Sequence, residues 1–459
     1  MKCNRKLAKV NFGCANSRRT SCSGGSQMTR DQGPKTMRYN EIFTPNDHPR
    51  VTYVPRDNQK LEEKLKDYIE TPNVVVSISG PSKTGKTVLL RKVVSEDNLI
   101  PLSGASIKSL DDFWNSIFAW MESPTEKTTS SSSGWSTTAK ASGGGEAGLL
   151  GFAKARADVG GEVQGSKSKT SAERIPINPF SQVVKDIGKS SYVLFVDDFH
   201  YLPKEVQKDI AMVIKGLAES GVKICTASVP HRNEDVVRAN AELRGRLASI
   251  DIPSWEINEL VLIAQKGFEE LRADFSPAVF TTLATAVFQS PQLMQALCLN
   301  LCRVKDIREP LVEHRRVDVS EEDFKKVFED TADFASFSKL VELLHAGPKV
   351  HGVERKQFNL QDGSTGDVYR VLLLAMKSDP AKRSFTYDDI LQRAKAVCIE
   401  DAPVGSSVSG SLGHMVSIAE QQGDNEAVLD WDEAHLTIVD PYFAFYLRSS
   451  NKVGSLGQL

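Results

Sequence analysis

The chain has 459 residues, enough for two or three domains and a large buried core. A net charge of −2 excludes bulk electrostatic attraction to nucleic acid or to an anionic membrane. No apolar run approaches the roughly 18 residues that a membrane helix needs, and the seven cysteines, odd in number and without a C-x-x-C pair, point to a reducing, cytoplasmic compartment.

Residues 1–40 read as a disordered basic tail. Between Met1 and Met28 there is no acid, whereas Lys2, Arg5, Lys6, Lys9, Arg18 and Arg19 are basic. A transit peptide has that composition; a tail, or initiation at Met28 or Met37, is the favoured reading. Residues 41–72 form a lead-in ending in a helix over about 58–69, with Leu61, Leu65 and Ile69 on its inner face.

The apolar, β-branched run Val74–Ser79 then predicts a strand. It feeds Gly80-Pro81-Ser82-Lys83-Thr84-Gly85-Lys86-Thr87, which satisfies G-x-x-x-x-G-K-[ST] at every fixed position, and Val88–Val94 continues as a helix. Strand, glycine loop and helix in that order make a phosphate cradle: backbone N–H groups turn inward and the helix N-terminus favours an anion. Lys86 is expected to reach the β- and γ-phosphates and the Thr87 hydroxyl to ligate Mg²⁺, with the rest of the loop and Val88 lining the nucleotide.

A second αβ unit around Trp114–Phe118 follows. Residues 124–174, rich in Ser, Thr, Gly and Lys, interrupt the pattern. Within them Ala153, Ala155, Ala157 and Val159 alternate with Lys154, Arg156 and Asp158, which fits either a hairpin or a linker-like insertion. Regularity returns with a helix at 178–188 and the strand Tyr192–Val196, which delivers Asp197 and Asp198 at its C-terminal end, where ligands of parallel sheets bind. Asp197 suits a Mg²⁺-associated role and Asp198 the orientation of an attacking water. Pro203 opens a helix to about Ser220, and strands follow at Val222–Thr226 and Leu247–Ile252. The alternation predicts an α/β fold with a mostly parallel sheet covered on both faces.

From Glu256 the strands stop, and helices are expected over about 256–272, 277–288, 291–303 and, with a break, 321–345. Ser276-Pro277 and Ser290-Pro291 mark two starts, and Ser320–Asp323 resembles a capping box. Cys298 and Cys302 lie four apart on an apolar pattern and read as core rather than a metal site. Residues 366–448 read as helix, strand, helix, helix, strand, strand, the order of a winged helix. Its recognition-helix position, Ser407–Glu420, holds no Lys or Arg, and Asp424, Glu426, Asp430, Asp432 and Glu433 make its wing acidic. Such a surface repels phosphate, so this unit is expected to pack or to bind a protein partner rather than DNA. The aromatics of Asp440–Tyr446 are expected to close its core.

With these motifs in place, the chain resembles the AAA+/STAND group of P-loop ATPases, near its replication-initiator-like and archaeal-type bacterial members. The resemblance covers about residues 41–445 and rests on Gly80–Thr87 and Val193–Asp198. Weaker matches are Tyr53–Asp57, like the lead-in box that touches adenine; Thr226-Ala227-Ser228, at the sensor-1 position; Arg244-Gly245-Arg246, where an arginine finger is carried; and Ser290–Leu293, like the lid's G-x-P motif. Each also has a plain reading: Arg56, Arg244 and Arg246 as surface charges, Ser228 as a strand cap, Pro291 as a helix start.

The resemblance implies a sheet domain at 41–253 carrying the 124–174 insertion, a helical lid at 254–350, a winged helix at 366–448 and a tail at 449–459. It implies ATP and Mg²⁺ as ligands, assembly into homo-oligomers, and catalytic roles for Lys86, Asp198, Ser228 and an arginine finger, Arg244 or Arg246, acting in a neighbouring subunit. Asp198 stands where most AAA+ hydrolases have Glu, and Pro291-Gln292-Leu293 stands where a lid arginine is usual. Both departures favour a slowly hydrolysing switch or assembly factor, with a protein partner met through the winged helix or the insertion. A DNA-associated initiator and a non-hydrolysing nucleotide-bound scaffold are the alternatives.

Overall fold

The computed structural model describes residues 36–56, 59–122, 126–129, 173–176, 178–229, 240, 243, 245–349, 352, 354–422 and 427–456. The basic tail, Arg244 and the alternating stretch at 153–159 lie outside them.

Among the described residues seven strands are formed before residue 252: β1 (Val75–Ser79), β2 (Leu99–Ser103), β3 (Glu126–Thr129), β4 (Glu173–Pro176), β5 (Val193–Asp197), β6 (Lys223–Ser228) and β7 (Leu247–Asp251). Five of them make one parallel sheet in the order β2-β5-β6-β1-β7, so the chain is α/β. The strands are apolar on both faces because both are covered. Ile100, Leu102, Leu194, Val196 and Ile224 face the helices Leu110–Met121, Pro179–Ile187 and Lys204–Glu219. Val76, Ile78, Val193, Phe195 and Ala227 face the helices Leu61–Glu70 and Lys86–Val93. β1 lies between β6 and β7, so the glycine loop leaves the sheet's C-terminal edge with a strand on either side. β3 and β4 pair antiparallel at the base of the insertion.

Beyond residue 256 the chain is mainly helical: Ile257–Glu270, Pro277–Ala286, Pro291–Val304, Glu321–Phe334 and Ser338–Ala346. The expected break falls at Ala335–Phe337, where Ser336 turns at positive φ. One short pairing departs from the all-helical expectation for this region: Ala273–Asp274 runs parallel to Arg315–Arg316. Another, Phe358–Asn359 with Thr365–Gly366, lies between the regions to which the sequence reading assigns elements. Two-residue ladders carry too little alternation to register in the sequence.

The last unit contains helix Val368–Lys377, strand Ser384–Thr386, helices Tyr387–Val397 and Gly405–Gln422, and strands Leu429–Trp431 and His435–Ile438. The three strands form one antiparallel sheet. A further helix, Pro441–Ser449, is capped by the Asp440 carboxylate, which accepts from Tyr442 N at 2.7 Å. Its aromatics do more than close this unit. Phe445 meets Phe328 at 5.7 Å, and Phe443 and Tyr446 meet Phe337 at 5.3 and 6.0 Å between centroids. One continuous core therefore runs through the helical region and the C-terminal unit.

That core also contains Ile42, Phe43 and Val54, and the Phe43 and Phe268 rings meet tilted, 4.9 Å between centroids. The lead-in before residue 56 thus packs with the helical region, although the sequence reading places it with the sheet. An apolar pair such as Ile42-Phe43 fixes burial but not which neighbour buries it.

Candidate nucleotide-binding site

At the C-terminal edge of the sheet, a cleft of about 480 Å³ opens between the glycine loop, the acidic end of β5, the lead-in and the helical region. That volume suits a small organic ligand. Its lining includes residues Ser82 to Leu89, Asp197 and Asp198, and Pro291, Gln292 and Gln295.

The loop is shaped by local chemistry. Gly85 adopts φ 96°, which a β-carbon disfavours, and from there the helix Lys86–Val93 starts. The Thr84 hydroxyl donates to Pro81 O at 2.7 Å, closing the loop on itself. Lys86 is only 8% exposed, and its ammonium donates to Gly80 O at 2.9 Å and Pro81 O at 3.1 Å. Burial pushes its pKa down, while the nearby Asp197 and Asp198 carboxylates oppose that. Among the described residues Lys86 forms no ion pair, so an incoming anion would find a buried cation held only by carbonyl oxygens.

Thr87 Oγ1 donates to Asp197 Oδ2 at 2.8 Å, across 110 positions of sequence. The other oxygen of Asp197 accepts from Asp198 N at 3.0 Å, which fixes the carboxylate. Asp198 itself turns at φ 52° into the short helix Phe199–Tyr201. A hydroxyl and a carboxylate converging on the cleft form an all-oxygen donor set, the chemistry Mg²⁺ prefers.

Ser228 ends β6 beside Ser79, and its backbone carbonyl accepts from Gly80 N at 3.3 Å. Its hydroxyl is buried with no hydrogen-bond partner among the described residues. Arg246 lies at the other end of the sheet: its carbonyl accepts from Val75 N, the first residue of β1, and its guanidinium pairs with Glu219. Within one chain Arg246 is therefore apart from the cleft.

Arg56 lines the cleft, but its guanidinium is committed elsewhere. It pairs with both oxygens of Glu259 at 3.0 and 3.1 Å and donates to Pro253 O at 2.8 Å and Ser254 O at 3.1 Å. It also sits 5.1 Å from the Trp255 ring centroid. Sequence reasoning missed the residues that join the lead-in to the helical region beside the cleft. Gln295 accepts from Thr44 N at 3.2 Å and donates to Thr52 Oγ1 at 2.6 Å, and Gln292 donates to Asn46 Oδ1 at 3.0 Å. These amides clasp the lead-in to the helix that Pro291 begins. Thr44 Oγ1 and His48 Nδ1 are buried there with no hydrogen-bond partner among the described residues. No motif marks them, because the lead-in and the helix are 250 residues apart and meet only in the fold.

No protein-family model matches the sequence, and no curated protein is significantly similar to it. Solved structures with a related chain path include a Walker-type ATPase of Pyrococcus abyssi, 11% identical over 87% of this chain and 99% of its own, with a TM-score of 0.45. The Aeropyrum pernix ORC2 protein, solved as ADPNP-ADP complexes, is 12% identical over 91% and 98%, with a TM-score of 0.44. Cdc6p from Pyrobaculum aerophilum is also 12% identical over 91% and 98%, with a TM-score of 0.38. At such identities and scores, the functional reading rests on the site itself. The parallel sheet with a glycine loop after its inner strand β1 defines the class, the P-loop α/β fold.

Proposed function

We propose that the chain binds ATP with Mg²⁺ in this cleft and hydrolyses it slowly as a nucleotide-controlled switch. The observation that carries the reading is the 2.8 Å hydrogen bond between Thr87 and Asp197. It joins the last residue of the glycine loop to the acidic strand, and those two oxygens are the ones that would hold Mg²⁺. Bound Mg²⁺ supplies positive charge at the phosphate oxygens. Lys86 leaves its carbonyl partners for the phosphates, and Asp198 orients water and accepts its proton.

The switch reading draws on the two bodies that the cleft joins. Phosphates would rest on the sheet body, and the base between the lead-in and the helical region. For a switch, the terminal phosphate has to make a contact in one arrangement of the two bodies that it lacks in the other, and its loss then biases their mutual geometry. The surface of helix Gly405–Gln422 supports a protein partner rather than DNA. Its exposed positions include Ser406, Ser407, Gly410, His414 and Ser417, and Asp430, Asp432 and Glu433 are exposed nearby.

Phosphate release from Mg·ATP tests the enzyme reading. Asp198→Asn is expected to lower the rate about a hundredfold while retaining ATP binding. Release from the wild-type chain no faster than from this variant would leave a binding-only scaffold. Arg246 faces away from its own cleft, so Arg246→Ala should slow hydrolysis only where mass photometry shows assembly with Mg·ATP. An unchanged rate in the assembled state removes the finger role.

A further inference from the structure

The connection from β7 to the helical region, residues 252–256, is fastened to the glycine loop at two points. Ile252 N donates to Ser79 O at 2.7 Å, just before the loop begins. Trp255 Nε1 donates to Thr84 O at 2.9 Å, inside it. The second bond acts on a peptide plane that nothing else restrains in the same way. The Thr84 side chain is pinned through Pro81 O and is 3% exposed, but the 84–85 peptide adjoins Gly85 at φ 96°, where a glycine rotates at little steric cost.

In a trans peptide the carbonyl and the following N–H point in opposite directions. Holding the Thr84 carbonyl toward the indole therefore aims the Gly85 N–H away from it. We propose that Trp255 is a positioning residue whose indole N–H, by holding Thr84 O, presents the Gly85 N–H to the phosphates. The inference rests on the ATP reading above and adds to it the means by which the cradle is set before ligand arrives. The indole is itself oriented independently of this bond, by the Arg56 guanidinium over its ring and by that guanidinium's grip on Pro253 O and Ser254 O. Preset donors need no reorganisation on binding, which is where a single neutral hydrogen bond gains leverage.

The test compares Mg·ATP, pyrophosphate and adenosine binding to the full chain by titration calorimetry. Trp255→Phe keeps a ring beneath Arg56 and removes only the N–H. It should weaken ATP and pyrophosphate about fivefold and leave adenosine unchanged. Trp255→His restores a donor and should recover most of the loss, and a His variant as weak as the Phe variant overturns the assignment; if the Phe variant does not fold, Trp255→Leu takes its place as the donor-less arm of the comparison. Unchanged ATP affinity in Trp255→Phe, or equal weakening of ATP and adenosine, overturns the assignment. A wild-type chain that binds neither ATP nor pyrophosphate overturns the site reading as a whole, a result distinguishable from either of these.

Discussion

Lys86→Ala is expected to lower the affinity for Mg·ATP by at least about a hundredfold, read by titration calorimetry. A lysine ammonium on two phosphates makes charge-assisted hydrogen bonds of about 1.5–3 kcal/mol each, and 1.4 kcal/mol is a tenfold change. The setting of Lys86 favours the upper part of that range. It is nearly buried, its present partners are the neutral carbonyls of Gly80 and Pro81, and burial already disfavours its charged form. An anion therefore relieves an existing cost as well as making new bonds. Removing the side chain leaves those two carbonyls without a donor but also removes a buried charge. The two effects oppose, so the melting temperature should move little and the lost binding would not reflect unfolding. Unchanged affinity would overturn the assignment of the cleft.

Gly104→Ala is expected to slow phosphate release about tenfold to a hundredfold while changing ATP affinity much less. Gly104 follows β2, whose last residue, Ser103, lies beside Asp197 in the sheet. A β-carbon at position 104 would stand 2.4 Å from the Asp198 carbonyl oxygen and 3.0 Å from that of Asp197. Both contacts are with backbone, so no side-chain rotation can relieve them, and overpacking of this kind costs about 1–3 kcal/mol. The acidic turn has to shift, and a misplacement of about 1 Å at a catalytic group can cost about a hundredfold in rate. The glycine loop is not touched, which separates the effect from that of Lys86→Ala. A turnover number equal to that of the wild type would show that Asp198 does not depend on this seat.

How much of this is legible in the sequence follows from the range of each signal. The glycine loop and the acidic strand are contiguous runs whose residue types are dictated by backbone geometry and burial. Gly80–Thr87 and Val193–Asp198 can therefore be read directly, and the structure joins them through Thr87 and Asp197. The starts at Ser290-Pro291 and Ser320 are read equally well, because capping is local chemistry. The ownership of the lead-in is not legible: Phe43 and Val54 would satisfy a sheet or a helix bundle, and only the fold pairs Phe43 with Phe268. The same holds for Gln295, which in sequence is one polar residue in an apolar helix. Its clasp on Thr44 and Thr52 explains why a buried amide is tolerated there. Arg56 is visible as an arginine before a helix, yet its partners Glu259, Pro253 and Ser254 are some 200 positions away.

The lead-in's membership in the helical core has a mechanical consequence. The chain passes between the two bodies twice, once after Val54 and again after Ile252. A single tether would leave the bodies free to swivel in any direction. Two strands of backbone side by side permit rotation chiefly about the line that joins them, as a door turns on two pins. Arg56 lies on the first strand and holds two carbonyls of the second, so it acts as a brace that keeps the pins together. Any opening of the cleft is thereby confined to one arc, and on the proposed switch reading ligand in the cleft would set the angle along it.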